Sequence, residues 1–124
     1  MPLSYEIDEE KNLLTVIGKG PVTLEDVLAH QRELQVDARV KAGVRCLVDL
    51  TEMTGFAMSG RDTFRLAQAR EQFPYLAMQA RTAIVVNSAL NFAMARMYAL
   101  SRRKYVEPMA IFYDLDEAKH WVLS

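Results

Sequence analysis

The stretch Leu47-Val48-Asp49-Leu50-Thr51-Glu52-Met53-Thr54-Gly55-Phe56-Ala57-Met58-Ser59-Gly60 changes character halfway along, and that change decides how the chain is read. Its first residues, with Arg45 and Cys46 before them, hold the continuous apolar run Cys46-Leu47-Val48, which suits a central strand over Arg45 to Leu50 covered on both faces. Thr54 to Met58 then reads as a loop. Ser59 reads as the N-cap of a helix running to about Phe73, with Leu66, Ala69 and Phe73 inward and Pro74 preventing continuation. Buried strand, loop, capped helix is the repeating unit of an α/β fold.

The same unit recurs on either side. Toward the C-terminus, Thr82 to Asn87 is a second buried-type strand and Ser88 caps the next helix, which ends in the basic cluster Arg102-Arg103-Lys104. Met109 to Tyr113 is the last strand, and Leu115, Ala118 and Val122 place a short closing helix on the core. Toward the N-terminus, Leu3, Tyr5 and Ile7 alternate with polar residues, Asp8 to Asn12 turns the chain, and Leu13 to Lys19 returns as a second strand. Gly18-Lys19-Gly20 has neither the phosphate-loop nor the dinucleotide spacing, so with Pro21 it reads as a turn. Thr23 and Asp26 form the cap of a helix whose stripe is Leu24, Val27, Leu28 and Leu34.

The order β-β-α-β-α-β-α-β-α predicts one α/β domain over residues 1–124, with a mixed sheet of about five strands and four helices. The first hairpin is antiparallel, and the later strands are parallel through right-handed crossovers. At 124 residues and 51% hydrophobic, such a chain buries a core without disulfides or a structural metal. Its single cysteine and two distant histidines match no common zinc spacing, so no metal or cofactor is expected. The opening Met1-Pro2-Leu3-Ser4 carries no secretory pattern and no apolar run reaches membrane-span length, so a cytoplasmic protein without a membrane span is expected.

Charge is distributed unevenly around a net of −1. Residues 1–37 carry eight acids and three bases, whereas residues 56–106 carry eight bases against Asp62 and Glu71. The basic segment is either a solvated face or an attraction for anionic partners. Bases are not interleaved periodically with aromatic rings, which argues against a nucleic-acid platform.

In open α/β sheets, ligands and partners meet the loops after the carboxyl ends of the parallel strands. That rim would gather Asp49, Thr51 and Glu52 from one loop, Asn87 and Ser88 from another, and Asp114 from a third. Its carboxylates can hold a cation or act as an acid and a base, but loop hydrogen bonding explains them as well. Other catalytic readings are weaker. Asp26 and His30, four apart on a helix, read as a surface ion pair, Cys46 as a core thiol and His120 as a helix-terminal cation. The helix after Ser88 is the best independent hint. From Ala89 to Leu100 its polar residues are Asn91 and Arg96, and Phe92, Met94, Met97 and Tyr98 surround the cylinder. One sheet cannot bury all of it. The surplus packs under neighbouring helices, meets a second subunit as a homodimer, or lines an apolar ligand cavity.

Residues 47–60 resemble the signature of anti-sigma-factor antagonists, the STAS domains, in which a strand ending in Val-Asp-Leu leads to Asp-Ser-Ser-Gly and a helix. Length and element order agree over essentially the whole chain. The closing Asp114-Leu115-Asp116-Glu117-Ala118-Lys119-His120-Trp121-Val122 is similar to the end of the SpoIIAA-like bacterial branch, which is related to STAS and CRAL-TRIO lipid-transfer domains. The resemblance implies a STAS-like fold and a binding role. Family antagonists accept phosphate on the first serine of the motif, and here Ala57 and Met58 match the Asp and that Ser, leaving Ser59 as a cap. The reading that follows is a non-enzymatic regulatory or protein-interaction domain, with contact residues Asp49, Thr51, Phe56, Met58, Ser59, Asn87, Phe92 and Met97. The alternative is a carrier or sensor of an apolar or anionic lipid-like ligand, its tail held by Phe92 and Met97 and its head group by Arg96, Arg102, Arg103 and Lys104.

Overall fold

Alternation of apolar and charged residues turns the first two segments into a hairpin whose inner face is Leu3, Tyr5 and Ile7. A computed structural model of the chain, describing residues 2–57, 59–69, 80–101 and 108–124, places β1 at Leu3–Asp8 and β2 at Leu13–Thr23. They pair antiparallel from Leu3↔Gly18 to Asp8↔Leu13. Asp8 stabilises the turn by accepting the Lys11 amide at 3.1 Å, and Asn12 closes it at φ +51°, a conformation asparagine tolerates.

Helix α1 (Leu24–Gln35), strand β3 (Arg45–Ala57), helix α2 (Gly60–Ala69), strand β4 (Arg81–Val85), helix α3 (Ala89–Ser101), strand β5 (Met109–Phe112) and helix α4 (Leu115–Leu123) follow. The strands lie in the order β1-β2-β3-β4-β5, and every pair after the hairpin is parallel. This is the expected mixed five-stranded α/β sheet with four helices. The continuation of α2 to Phe73 with Pro74, and the cluster Arg102, Arg103 and Lys104, lie outside the described residues.

Side-chain parity divides the core into two layers. Leu14, Val16, Cys46, Leu50, Ile84 and Val86 face α1 and α3, where Leu34 and Ala95 are buried against them. Leu13, Leu47, Ala83 and Val85 point the other way, onto Ala118 and Val122 of α4. Strands covered on both faces must be apolar at successive positions, which is why Cys46-Leu47-Val48 shows no alternation. Helix α4 is tied down at its end: Arg45 donates to the Leu123 carbonyl at 3.1 Å, and Arg81 donates to that of Trp121 at 2.7 Å with its guanidinium over the indole ring.

Two boundaries differ from the sequence reading. Gly18-Lys19-Gly20-Pro21 is not a turn but the middle of β2, which runs on to Thr23, and Thr54 to Ala57 is not a loop but the end of β3. The two overruns pair with each other, from Lys19↔Glu52 to Thr23↔Ala57. The register slips twice, β3 carrying the extra residue each time, and Gly20 sits at φ +67°. Glycine in the left-handed region lets a strand continue where another residue would break it. Val22 and Met53, each 1% exposed, hold this arm to the core. Gly18 is needed for a different reason: a Cβ there would stand 2.7 Å from Leu50 Cδ2.

The pair Asp26 and His30 is also corrected. Asp26 completes a capping box, accepting the Thr23 amide at 2.9 Å while its own amide donates to Thr23 Oγ1 at 3.1 Å. His30 turns inward instead, edge-to-face with the Tyr5 ring at 5.5 Å. Burial pushes its imidazole down to about 4, so it is neutral at pH 7. The Tyr5 hydroxyl donates to Asp37 at 2.8 Å. The Arg39 guanidinium, bonded to both Asp37 oxygens, holds that carboxyl well below the usual carboxylate range. An edge-to-face ring contact, not a surface ion pair, seats α1 on the hairpin.

Candidate functional site

Strand β3 has 13 residues and β4 has five, so β4 stops while β3 continues. The last β3–β4 partners are Asp49 and Val85. Beyond them β3 would present unpaired main-chain groups to solvent. Asn87 takes over where the strand ends. Its Nδ2 donates to the carbonyls of Thr51 at 2.8 Å and Met53 at 3.2 Å, and its Oδ1 accepts from Nδ2 of Asn91 at 3.1 Å. Asn91 is 4% exposed and fixed on the first turn of α3. Ser88 caps that turn, accepting the Asn91 amide at 3.1 Å. The two asparagines thus brace the overhanging strand against the helix.

An open cleft of about 530 Å³ lies between them, with Thr51 to Gly55 as one wall and Asn87, Ser88, Leu90 and Asn91 as the other. Of the rim residues read from the sequence, the fold brings together Thr51, Glu52, Asn87 and Ser88. Asp49 and Asp114 are not in the lining. Asp49 accepts from the Thr51 hydroxyl at 2.6 Å and from its amide at 3.0 Å. Glu52 lies 3.7 Å from Lys19, with both side chains 64% exposed. Asp114 is the N-cap of α4. Each carboxylate is engaged within its own element or with the neighbouring strand, and the cleft wall carries Glu52 alone of the three.

Ser59 is the cap the sequence indicates: its Oγ accepts the Asp62 amide at 3.1 Å, and Asp62 accepts the Ser59 amide at 3.3 Å. Met58 and the side chain of Phe56 lie outside the described residues. Phe92 is half-buried and stacks on Tyr113 at 5.3 Å with the rings 12° apart. Met97 is 41% exposed, and its sulfur lies 3.5 Å from the position a Cβ on Gly60 would take, so the start of α2 rests on it. Phe92 and Met97 therefore do not line the cleft.

The sequence reading passed over two residues on α3. Leu90 is 71% exposed and Leu100 is 74% exposed. With Ala93, also exposed, and Met97 they stand at spacings of three, four and three, the pattern of one helix face that packs on another helix. That spacing was available in the sequence. It was hidden because the helix is apolar on its other faces too.

No family model and no curated protein matches the chain. Among solved structures it is similar to an uncharacterised protein of the DUF3478 family with a SpoIIAA-like fold from Shewanella loihica PV-4. The two are 20% identical with a TM-score of 0.64, over 97% of this chain and 93% of that one. The chain has a SpoIIAA-like fold. The expectation drawn from residues 47–60 and the element order thus holds for the architecture.

Proposed function

We propose that this chain is a non-enzymatic regulatory or protein-interaction domain, resembling anti-sigma-factor antagonists, that contacts its partner through the cleft and the adjoining start of α2. The observation that carries this reading is how the polar groups of the rim are used. Asp49, Asn87, Asn91, Ser59 and Asp62 make hydrogen bonds that hold the shape of β3 and the helix starts. Catalysis needs an acid, base or nucleophile directed at a reacting atom, whereas groups engaged in this way make a stiff, preformed surface. With Met58 at the family's acceptor position, control by phosphate on that residue is not part of the proposal.

To test it, a photo-crosslinking amino acid replaces Thr54, exposed on the cleft wall, and in a second variant Glu117, exposed on α4. Crosslinking in the native cell should give a defined protein adduct from position 54 and none from 117. Equal labelling from both, or none from 54, would overturn the reading.

The alternative is a carrier of an apolar or anionic lipid-like ligand. Its support is the apolar surface of α3 beside Arg96. Native mass spectrometry separates the two: the interaction domain flies bare, whereas a carrier retains a lipid-sized mass that is lost under denaturing conditions.

A further inference from the structure

Strand β1 lies at one end of the sheet, so one of its two edges has no neighbouring strand. The Lys19 amide donates to the Pro2 carbonyl at 2.8 Å, and this bond fixes which residues face that edge. Pro2 and Lys19 extend the hairpin register Leu3↔Gly18 by one position, and residues along an antiparallel pair turn their main-chain groups alternately toward the partner and away from it. Ser4, Glu6 and Asp8 therefore bond to β2, and the N–H and C=O groups of Leu3, Tyr5 and Ile7 point outward. No hydrogen bond from another described residue reaches these outward groups.

Protein edges are commonly blunted by proline, lysine or a bulge. From Leu3 to Asp8 there is neither proline nor lysine, and the pairing with β2 runs without a slip. The two sides of the strand differ in chemistry. Leu3, Tyr5 and Ile7 are half-buried against the core, whereas Ser4, Glu6 and Asp8 are exposed. Neither Glu6 nor Asp8 forms an ion pair with another described residue.

We propose that the outer edge of β1 takes up an extended segment of a partner protein in which apolar and basic residues alternate, pairing antiparallel as a sixth strand on the five-stranded sheet. Main-chain bonds to Leu3, Tyr5 and Ile7 supply the attachment, and the two unlike sides of the strand select the segment. Its residues opposite Leu3, Tyr5 and Ile7 extend the half-buried side and are apolar. Those opposite Glu6 and Asp8 occupy non-hydrogen-bonded positions, where Cα atoms approach to about 4.5 Å and facing side chains are nearest. A cation there meets an acid that has none. A second copy of the chain would bring its own Glu6 and Asp8 to the same strip, so like charges would gather and a basic segment fits better. The inference is independent of the cleft, whose lining contains no residue of β1.

The test uses an acetylated and amidated heptapeptide of alternating valine and lysine, titrated into isotope-labelled protein and followed by amide NMR. At peptide concentrations up to about 2 mM, enough to populate a weak complex, the amides of Leu3, Tyr5 and Ile7 should shift saturably. N-methylation of the valines, whose N–H groups face β1, should abolish binding. N-methylation of the lysines, whose N–H groups face away, should leave saturable binding in place. Glu6→Lys, at an exposed site, should weaken binding about tenfold, because an exposed ion pair is replaced by a like-charge one. A peptide of alternating valine and glutamate should not bind the wild type. No saturable shift at the amides of Leu3, Tyr5 and Ile7 would overturn the proposal, as would equal loss from either methylation or equal binding of the glutamate peptide. The same shifts on concentrating the protein alone would give the edge to a second copy and overturn the basic segment.

Discussion

Replacing Asn87 with alanine should destabilise the protein by about 2 kcal/mol, and the sum can be assigned bond by bond. The Thr51 carbonyl is exposed, so water replaces the amide and the loss is about 0.5 kcal/mol. The Met53 carbonyl is part-buried and loses a similar or slightly larger amount. The larger share comes from Asn91: its Nδ2 loses its acceptor in a residue 4% exposed, and an unsatisfied buried donor costs about 1 kcal/mol or more. Urea unfolding should show a lower midpoint with an unchanged slope, and the melting temperature should fall by about 8 °C. Asn87→Asp separates the two halves of the brace. A carboxylate still accepts from Asn91 but repels both β3 carbonyls, so the loss at pH 7 should be at least as large. Measured against wild type at the same pH, it should shrink near pH 4, where the protonated acid regains one donor. If Asn87→Ala stays within about 0.5 kcal/mol of wild type, the brace does not hold the strand.

Acid should also destabilise the wild type through His30. The unfolded imidazole takes its proton near pH 6.5 and the folded one only near 4, so falling pH favours the unfolded chain across that window, by at most about 3 kcal/mol; His30→Leu should flatten this limb in denaturation midpoints measured from pH 7 to 4. Gly18→Ala should cost roughly 1–3 kcal/mol in the same assay, because its Cβ would meet Leu50 at 2.7 Å in a packed layer. Ser59→Ala should cost about 1 kcal/mol, the usual loss for an N-cap, and intact mass of protein from its native cell should show no stoichiometric phosphate on Ser59.

What could be read before the structure was what is local or periodic. The run Cys46-Leu47-Val48 shows burial on both faces without knowledge of the covering helices, and the caps Thr23, Ser59 and Ser88 bond to amides three residues away. Strand length was not of this kind. Gly20 and Pro21 read as a stop unless β3 is known to run alongside, since the pairing of the two overruns keeps β2 extended. Asn87 reads as a rim ligand until β4 is seen to end at Val85 and leave two carbonyls for it. His30 depends on the angle at which α1 meets Tyr5, which no spacing within the helix encodes.

Because the strands lie side by side in the order in which they occur in the chain, the sheet can be assembled vectorially. Each new strand finds its neighbour already made, and no early segment waits for a late one across a long, entropically costly loop. Helix α4 is the exception. It lies beyond β5 in the chain yet packs back on β3 and β4, and its Leu123 carbonyl is bonded by Arg45, whose other nitrogen donates to Lys11 in the first turn. Among the described residues, α4 is the helix that covers Leu47, Ala83 and Val85, so a chain lacking residues 115–123 would leave them without that cover. Loss of α4 would therefore turn a covered apolar face of the sheet into an exposed patch, the kind of surface on which chains associate.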